Sequence, residues 1–504
     1  MSIPAPFFLT SAIPYVNSDP HLGHALELVQ SDALARYARG RGRDVRFTSG
    51  TDDNSSKNVR AALKAGITAQ KLVARYGAEF RRLANVLDIS HDDFIHTASD
   101  TRHVPAVHAL WARCAEAGDI YRKAYRGLYC VGCEHFLRES ELVGGECAHH
   151  PGPLETVAEE NWFFRLSRYE ASIYAAVSRD HPKILPEGRK NEVLSLIERG
   201  LEDFSISRSA ARAGGWGIPV PGDETQVIYV WFDALASYLS VLGYPNADDF
   251  SRYWQHGAER VHVIGKDITR FHAAYWPGIL LSAGIELPTS ICVHGFVTSH
   301  GQKLGKSLGN AVDPFQLVAR YGVDAVRYYL LSHLHTTKDS DFREDLLRTA
   351  YTAELAGKLG NLLQRVCALC VQNGIAHFGV GDECDASLRA VAEQTRVRVA
   401  RAFEAFALHD ALRTSFELVT AANRFADATA PWHLAKVARE ASDGALRAHA
   451  ARALRNSLCS LVEALSTTAE VLEPFLPHAS RQIRARLAPG PTPGEPLFPA
   501  LQAC

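Results

Sequence analysis

Methionine is almost missing from this chain of 504 residues: it occurs once, at position 1. Lysine is scarce as well, 12 against 42 arginines. That bias fits high-GC coding, and it makes any close pair of lysines conspicuous. No apolar run reaches the ~18 residues needed to span a bilayer, so no membrane partner is expected. The stretch Met1 to Thr10 has no basic segment ahead of its short apolar run, so no secretory leader is expected and a cytoplasmic location is. Ten cysteines are few for this length. They do not suggest a disulfide scaffold, and in a reducing compartment their spacing reads as metal-binding or incidental. Neither sign of charge dominates, with 54 basic and 56 acidic residues. A nucleic-acid partner would therefore need a local basic surface, offset elsewhere. Internal repeats are absent. What is abundant is apolar residue, 47% of the chain. That is too much for one core and predicts two or three domains.

The chain begins with a strand–helix alternation. Phe7 to Val16 reads as a buried strand, and Asn17-Ser18-Asp19-Pro20 as a turn with a helix cap. His21 to Tyr37 has helical periodicity, Val45 to Thr51 reads as a second strand and Ser56 to Ala65 as a helix. The pattern predicts a doubly wound α/β sheet. From about Ala115 to Gly215 it gives way to cysteines, glycines and paired histidines, as in an inserted module. It then resumes, with strands expected at Val227 to Phe232, Arg260 to Ile264 and Ser290 to Thr298, and a helix at Asp233 to Leu242. After about Phe342 long amphipathic helices predict an all-α bundle: Ala350 to Leu369, Ala386 to Phe406, Asp410 to Ala428 and Ala445 to Leu472.

Three sets of residues carry chemistry. His21-Leu22-Gly23-His24 follows a strand and opens a helix, so both imidazoles share one face of the first turn. A helix start offers free N–H groups and partial positive charge to a phosphate. Two imidazoles there could donate to phosphate oxygens as charge builds, and Gly23 leaves room for a flat base. Lys303-Leu304-Gly305-Lys306-Ser307 places two of the rare lysines four residues apart or less. Two ammonium groups on a mobile loop suit a leaving pyrophosphate. The stretch nearly spells a P-loop, but His300 stands where that motif needs glycine, and Pro314 interrupts the helix it requires. Third, Cys130-Val131-Gly132-Cys133 and Cys147-Ala148-His149-His150 offer four soft ligands for a tetrahedral, structural zinc. His149 competes for the last place, and spacing favours His150. Cys367 and Cys370 lie mid-helix with no partner pair and read as core.

The histidine and lysine motifs, in this order, resemble the HIGH and KMSKS signatures of class I aminoacyl-tRNA synthetases. The likeness extends to the methionyl-tRNA synthetases through Ala12-Ile13-Pro14-Tyr15, Tyr229 to Ala234, Gly265-Lys266-Asp267-Ile268, Phe271-His272 and Val293-His294-Gly295. It covers about residues 6 to 480. The resemblance implies a Rossmann-like catalytic domain with first half 1–115 and second half 216–290, split by a zinc-bearing insertion at 116–215. It further implies a KMSKS-type loop and linking region at 291–345, a helical anticodon-binding domain at 346–487 and a proline-rich tail at 488–504. The implied activity is formation of methionyl-adenylate from L-methionine and Mg-ATP, then transfer to tRNA(Met). His21, His24, Lys303 and Lys306 would be catalytic. Gly23, Gly265, Asp267, His294 and Val297 would join His21, His24 and Lys306 in binding ATP. Methionine would lie among Tyr15, Trp231, Tyr238, Ile268 and His272, with Ala12, Ile13 and Ala234 alongside and Asp52 on its ammonium. The thioether suits aromatic edges. In the bundle Asn361 and Arg365 sit one turn apart, and Pro431-Trp432 opens another helix. Amide and guanidinium can read base edges and an indole can stack on a base. These positions match the family's anticodon readers.

The sequence also departs from the family. Thr-Asp-Glu-His-Gly is here Thr51-Asp52-Asp53-Asn54-Ser55, beside the implied amino-acid site. Leu304-Gly305 replaces Met-Ser in the lysine loop, and Leu235 stands where some members have proline. No appended tRNA-binding or dimerisation domain follows the bundle, which predicts a monomer. Two other readings compete: a paralogue that hands an activated amino acid to a small molecule, and a non-catalytic tRNA-binding protein. Asn361, Arg365 and Trp432 oppose the first. The paired catalytic motifs oppose the second.

Overall fold

The computed structural model describes residues 5–130, 135–137, 142–147, 154–255, 257–299, 301–304, 312–379 and 382–501. Every residue of the first strand, Phe7–Ser11, is buried, as expected of a parallel strand covered on both faces. Phe7 and Leu9 join one apolar cluster and Phe8 the other, following the two-residue period of a strand. The central sheet has six strands in the order Asp93–His96, Val45–Thr51, Phe7–Ser11, Glu259–Gly265, Ser290–His294, Lys183–Leu185. All five pairings are parallel. Strand order reverses between Phe7–Ser11 and Glu259–Gly265. In sheets of this kind ligands bind in the crevice beyond the carboxyl ends at that point.

The strand Val45–Thr51 and helix Ser56–Ala65 have their expected bounds. Other expectations change. The strand expected over Val227 to Phe232 ends at Ile228, and Val230–Ser240 is a helix. A short run apolar on all sides does not distinguish a buried strand from a buried helix. Moreover, Asp223–Ile228 pairs antiparallel with Ser207–Ser209 and Pro219–Val220, outside the main sheet. The strand expected over Ser290 to Thr298 divides into Ser290–His294 and Val297–Ser299. A Cβ on Gly295 would lie 2.2 Å from the Lys338 carbonyl, so the chain crosses there on a residue without a side chain. The segment read as an insertion is not wholly peripheral, because Lys183–Leu185 forms the edge of the main sheet. What projects is an antiparallel arm built on Ile120–Cys130 and Glu155–Phe164, paired from Ile120 opposite Phe164 to Tyr129 opposite Glu155.

The C-terminal helices are Asn361–Gln372, Ala386–Glu404, Leu408–Thr429, Pro431–Glu440, Gly444–Leu472 and Pro477–Leu487. Side chains of Asp385 and Asp443 cap two of them. The helix expected to start at Ala350 is continuous with Glu344–Ala350 and contains a π-helical stretch at Tyr351–Gly360. One apolar cluster runs unbroken from Leu9, Leu26 and Val29 through Tyr329 to Leu461 and Phe475, so sheet and bundle share a core. Cys367 and Cys370 are fully buried in it, as expected. One pair of cysteines not singled out in the sequence, Cys384 and Cys459, forms a disulfide with Cα atoms 5.6 Å apart, a usual spacing. The proline-rich end packs down: Leu497 and Phe498 join the core, and the Tyr351 hydroxyl donates to the Pro499 carbonyl at 2.6 Å. Among the described residues no helix is long and apolar enough to cross a membrane.

Candidate active site

The crevice at the strand-order reversal is where the expected residues gather. His21 caps the helix Leu22–Gly40, and the Gly23 N–H donates to its Nδ1 at 3.1 Å. The His21 N–H donates in turn to Nδ1 of His24 at 3.1 Å, which closes a reciprocal capping box. The two rings stack with centroids 3.9 Å apart. Because each Nδ1 accepts from backbone, the proton of each neutral ring belongs on Nε2. Both imidazoles are thereby prepared as donors. Burial, and then the neighbouring His21, hold His24 well below the usual histidine range, so it is neutral at pH 7. Gly23 matters for a reason the sequence did not show: a Cβ there would come within 2.9 Å of the His21 ring and dislodge the cap.

Across the crevice, Gly265 and His294 end neighbouring strands. His294 Nε2 lies 2.9 Å from Glu27, one turn beyond His24. Burial opposes the His294 charge, but contact with Glu27 outweighs it and raises the group. Burial raises Glu27 too, against the pull of His294. Glu27 was missed in the sequence, where it is one helical glutamate among many. Asp267 is exposed beside Gly265, and Val297 is buried. Lys303 lies in the short strand Gln302–Lys303, paired with Val297–Ser299. Lys306 lies outside the described residues.

Beside this crevice lies an aromatic chamber. Tyr238 is fully buried, and its hydroxyl meets His272 Nε2 at 2.8 Å. The other ring nitrogen of His272 donates to the Ile268 carbonyl at 3.0 Å. Trp231 stacks on Phe271 at 3.8 Å with rings 1° from parallel. His262 stacks on Tyr238 at 4.4 Å; its Nδ1 meets the Thr10 hydroxyl at 2.7 Å. Phe271 and His262 were not assigned to the chamber from sequence. His262 sits in a strand and its partners are far away in the chain. Phe271 and His272 open a π-helical turn, Phe271–Tyr275, a distortion common at functional sites. Burial drives His272 down to about 4. Burial, then His272 and Arg260, push His262 well below its usual value. Burial, then the charges of Glu27 and Asp52, raise the Tyr238 hydroxyl well above 10. The chamber is therefore uncharged at pH 7 and suits an apolar, polarizable side chain. Ala12, Ile13 and Tyr15 follow the first strand; Tyr15 bridges to Asp52, whose N–H donates to the Pro14 carbonyl at 2.9 Å. Ala234 sits on the same helix as Trp231 and Tyr238.

Asp53 is 2% exposed, and burial pushes its carboxyl up to about 7 against Thr51 and the Ala98 N–H. The folded value lies above the ~4 of an unfolded chain, so the folded state binds this proton more tightly. The resulting stability is fully present below about pH 4 and is lost as pH rises through about 7. Asp53→Asn, which stays neutral, should remove that dependence. Urea midpoints of both proteins should show the parent losing ground to the variant between pH 4 and 7. A constant difference across that window would count against a buried, proton-binding Asp53.

Two further groups lie elsewhere. Cys130 and Cys147 are buried in one small cluster with Leu137, so two of the four expected zinc ligands are brought together. Cys133 and His150 lie outside the described residues, and among the described residues no set of three or more metal-type side chains converges. Two thiols in one buried cluster fit the chemistry of a zinc knuckle. In the bundle, the Arg365 guanidinium lies 4.5 Å from the Trp432 ring centroid. Trp432 is 42% exposed, unusual for tryptophan. Asn361 is exposed one turn before Arg365.

Comparison with known proteins gives one family. The model of the family described as tRNA synthetases class I (M) matches residues 7–151 and 150–367. The methionine–tRNA ligase of Brucella suis biovar 1 is 38% identical over 489 residues, covering 96% of this chain and 92% of that protein. The methionine–tRNA ligase of Mycobacterium bovis is 39% identical over 505 residues, covering 98% and 94%. The structure of Mycobacterium tuberculosis methionyl-tRNA synthetase in complex with methionyl-adenylate superposes with a TM-score of 0.90 at 37% identity, covering 98% of this chain and 100% of that one.

Proposed function

The chain belongs to the methionine branch of the class I tRNA synthetases, and from that premise we propose which residues carry the reaction. It activates L-methionine with ATP and transfers it to tRNA(Met), giving AMP and pyrophosphate. The observation that carries the reading is the uncharged aromatic chamber beside the stacked His21–His24 pair at one switch point of the sheet.

Methionine's side chain occupies the chamber of Trp231, Tyr238, Ile268 and His272, bordered by Ala12, Ile13, Tyr15 and Ala234, with its ammonium on Asp52. ATP lies along Gly23, Gly265, Asp267, His294 and Val297, with Mg2+ carried in as part of the substrate. The methionine carboxylate attacks the α-phosphate, and the bond to pyrophosphate breaks. Nε2–H of His21 and of His24, with Lys303 and Lys306, stabilises the added negative charge and the leaving group. The terminal ribose hydroxyl of tRNA then attacks the mixed anhydride and releases AMP. No protein nucleophile takes part; positioning and electrostatics suffice. Cys130, Cys133, Cys147 and His150 would hold one structural zinc, with no open coordination position for chemistry. A tRNA substrate fits a cytoplasmic location, and a monomer supplies the whole site.

Asn361, Arg365 and Trp432 read the anticodon, and the exposed indole backed by Arg365 is the support for this. Losing one stacked base costs about 1–3 kcal/mol, roughly tenfold to a hundredfold. Trp432→Ala should depress charging of a CAU-bearing tRNA by that factor. Methionine-dependent ATP–pyrophosphate exchange, screened over all the standard amino acids, should stay near the parent's. Equal charging by variant and parent would remove the anticodon assignment and favour a small-molecule acceptor.

A further inference from the structure

The residues by which this chain departs from its family, Asp53-Asn54-Ser55, lie against the helix that walls the chamber. Asn54 Nδ2 donates to Asp233 Oδ2 at 2.8 Å. The other oxygen of Asp233 lies 2.5 Å from His103 Nε2, and His103 Nδ1 meets the Ser240 hydroxyl at 2.8 Å. Asp233 is 1% exposed and His103 is fully buried, so both ends of their contact are withdrawn from solvent, while Asn54 itself is half-buried. Asp233 and Ser240 stand in the first and last turns of Val230–Ser240. This bonding therefore fixes the helix that presents Trp231, Ala234 and Tyr238.

Asn54 is the anchored end of the contact. The carbonyls of Asp52 and Asp53 accept from Asn58 Nδ2 at 3.0 and 2.9 Å, and Trp216 Nε1 donates to the Asp53 carbonyl at 2.8 Å. Three side-chain hydrogen bonds thus hold the segment just before Asn54. The opposite end is more sensitive, because Trp231 lies two residues from Asp233 and rests flat on Phe271. Reorientation of an under-donated Asp233 would move the first helical turn and slide the indole over that ring. A buried carboxylate oxygen that loses its donor does not stay in place at no cost.

We propose that Asn54 is a positioning residue for amino-acid recognition, acting through Asp233 on the indole wall of the chamber. The inference rests on the reading of that chamber as the methionine site. It predicts an effect confined to the amino acid, since His21, His24 and His294 belong to other elements.

The test is ATP–pyrophosphate exchange by the full-length protein and its Asn54→Leu and Asn54→His variants. Leucine is close in size to asparagine and donates nothing. Histidine restores a ring N–H and is the residue the family carries at this place. Asn54→Leu should raise the methionine KM about tenfold, the scale of one buried hydrogen bond. The ATP KM and kcat should stay within about twofold, and Asn54→His should recover most of the methionine KM. If Asn54→Leu does not fold, Asn54→Ser takes its place with the same split expected. Parallel rises in both KM values, or an unchanged methionine KM in a folded variant, would overturn the inference. A parent protein without methionine-dependent exchange would instead overturn the chamber reading itself.

Discussion

Lys306→Ala should slow methionyl-adenylate formation by about 10²- to 10³-fold while methionine binding changes little. The expected loss is ~2.7–4 kcal/mol of transition-state stabilisation, the scale found when one charge-directed donor is removed. The physical case starts from the crevice. His21 and His24 each present an Nε2 edge on one side of the crevice, and the neutral His24 leaves the charge of pyrophosphate uncompensated. Lys303 and Lys306 are the positive charge proposed to meet it. The base of their loop is well tied: Val297–Ser299 pairs with both Gln302–Lys303 and Ser340–Asp341. The Gly301 N–H and the Thr298 hydroxyl both donate to Asp341 at 3.0 Å, and Leu304 is buried. A fixed base with a cationic loop beyond it suits a group that acts late, as pyrophosphate departs. Single-turnover adenylate formation measures this step directly. A variant as fast as the parent would remove Lys306 from the mechanism and leave His21 and His24 as the remaining candidates.

The catalytic face was legible where its signals are local. A strand, a turn with Pro20 and paired histidines at a helix start all lie within twenty residues, and the structure returns them as a capping box. Residues whose meaning depends on distant partners were not legible. Thr10 and His262 are 252 residues apart, Glu27 and His294 are 267, and His103 and Asp233 are 130. No spacing in one sequence announces such a pair. The family resemblance supplied Trp231, Tyr238 and His272 as a list, whereas the structure shows why they work as a group. The His272 imidazole is neutral, Trp231 stacks on Phe271 and Tyr238 on His262, and one helix carries two of the three. The same limit explains why Val230 to Phe232, expected as the end of a strand, form the first turn of the helix Val230–Ser240. Its apolar residues surround the helix, and only the surrounding sheet and helices decide between the two periodicities.

Arg327→Met should destabilise the protein by about 3–5 kcal/mol, the cost of breaking a buried ion pair from one side. Arg327 interrupts an otherwise apolar run from Ala325 to Leu331 and is fully buried. Its Nη2 lies 2.6 Å from Asp32, also fully buried, on the helix that His21 caps. Its other bonds go to the carbonyls of Phe475 at 2.7 Å, Pro474 at 3.0 Å and Leu87 at 3.1 Å. One side chain therefore ties the helix Leu22–Gly40 to the end of the long bundle helix Gly444–Leu472. Burial works against the Asp32 carboxylate, but Arg327, then Arg36 and Ser90, hold it below its ordinary value. A lowered folded value gives stability that is present above about pH 4 and lost as pH falls through that lower value. Methionine at 327 fills similar space, yet leaves Asp32 with Arg36 alone and three buried carbonyls without a donor. The gap in urea midpoint between parent and Arg327→Met should therefore be widest near neutral pH and narrow below pH 4. Combining Arg327→Met with Asp32→Asn should recover part of the loss, because the uncompensated charge is removed while the carbonyls stay unserved. Coincident midpoints at pH 7 would mean that the sheet and bundle are joined by their apolar core alone.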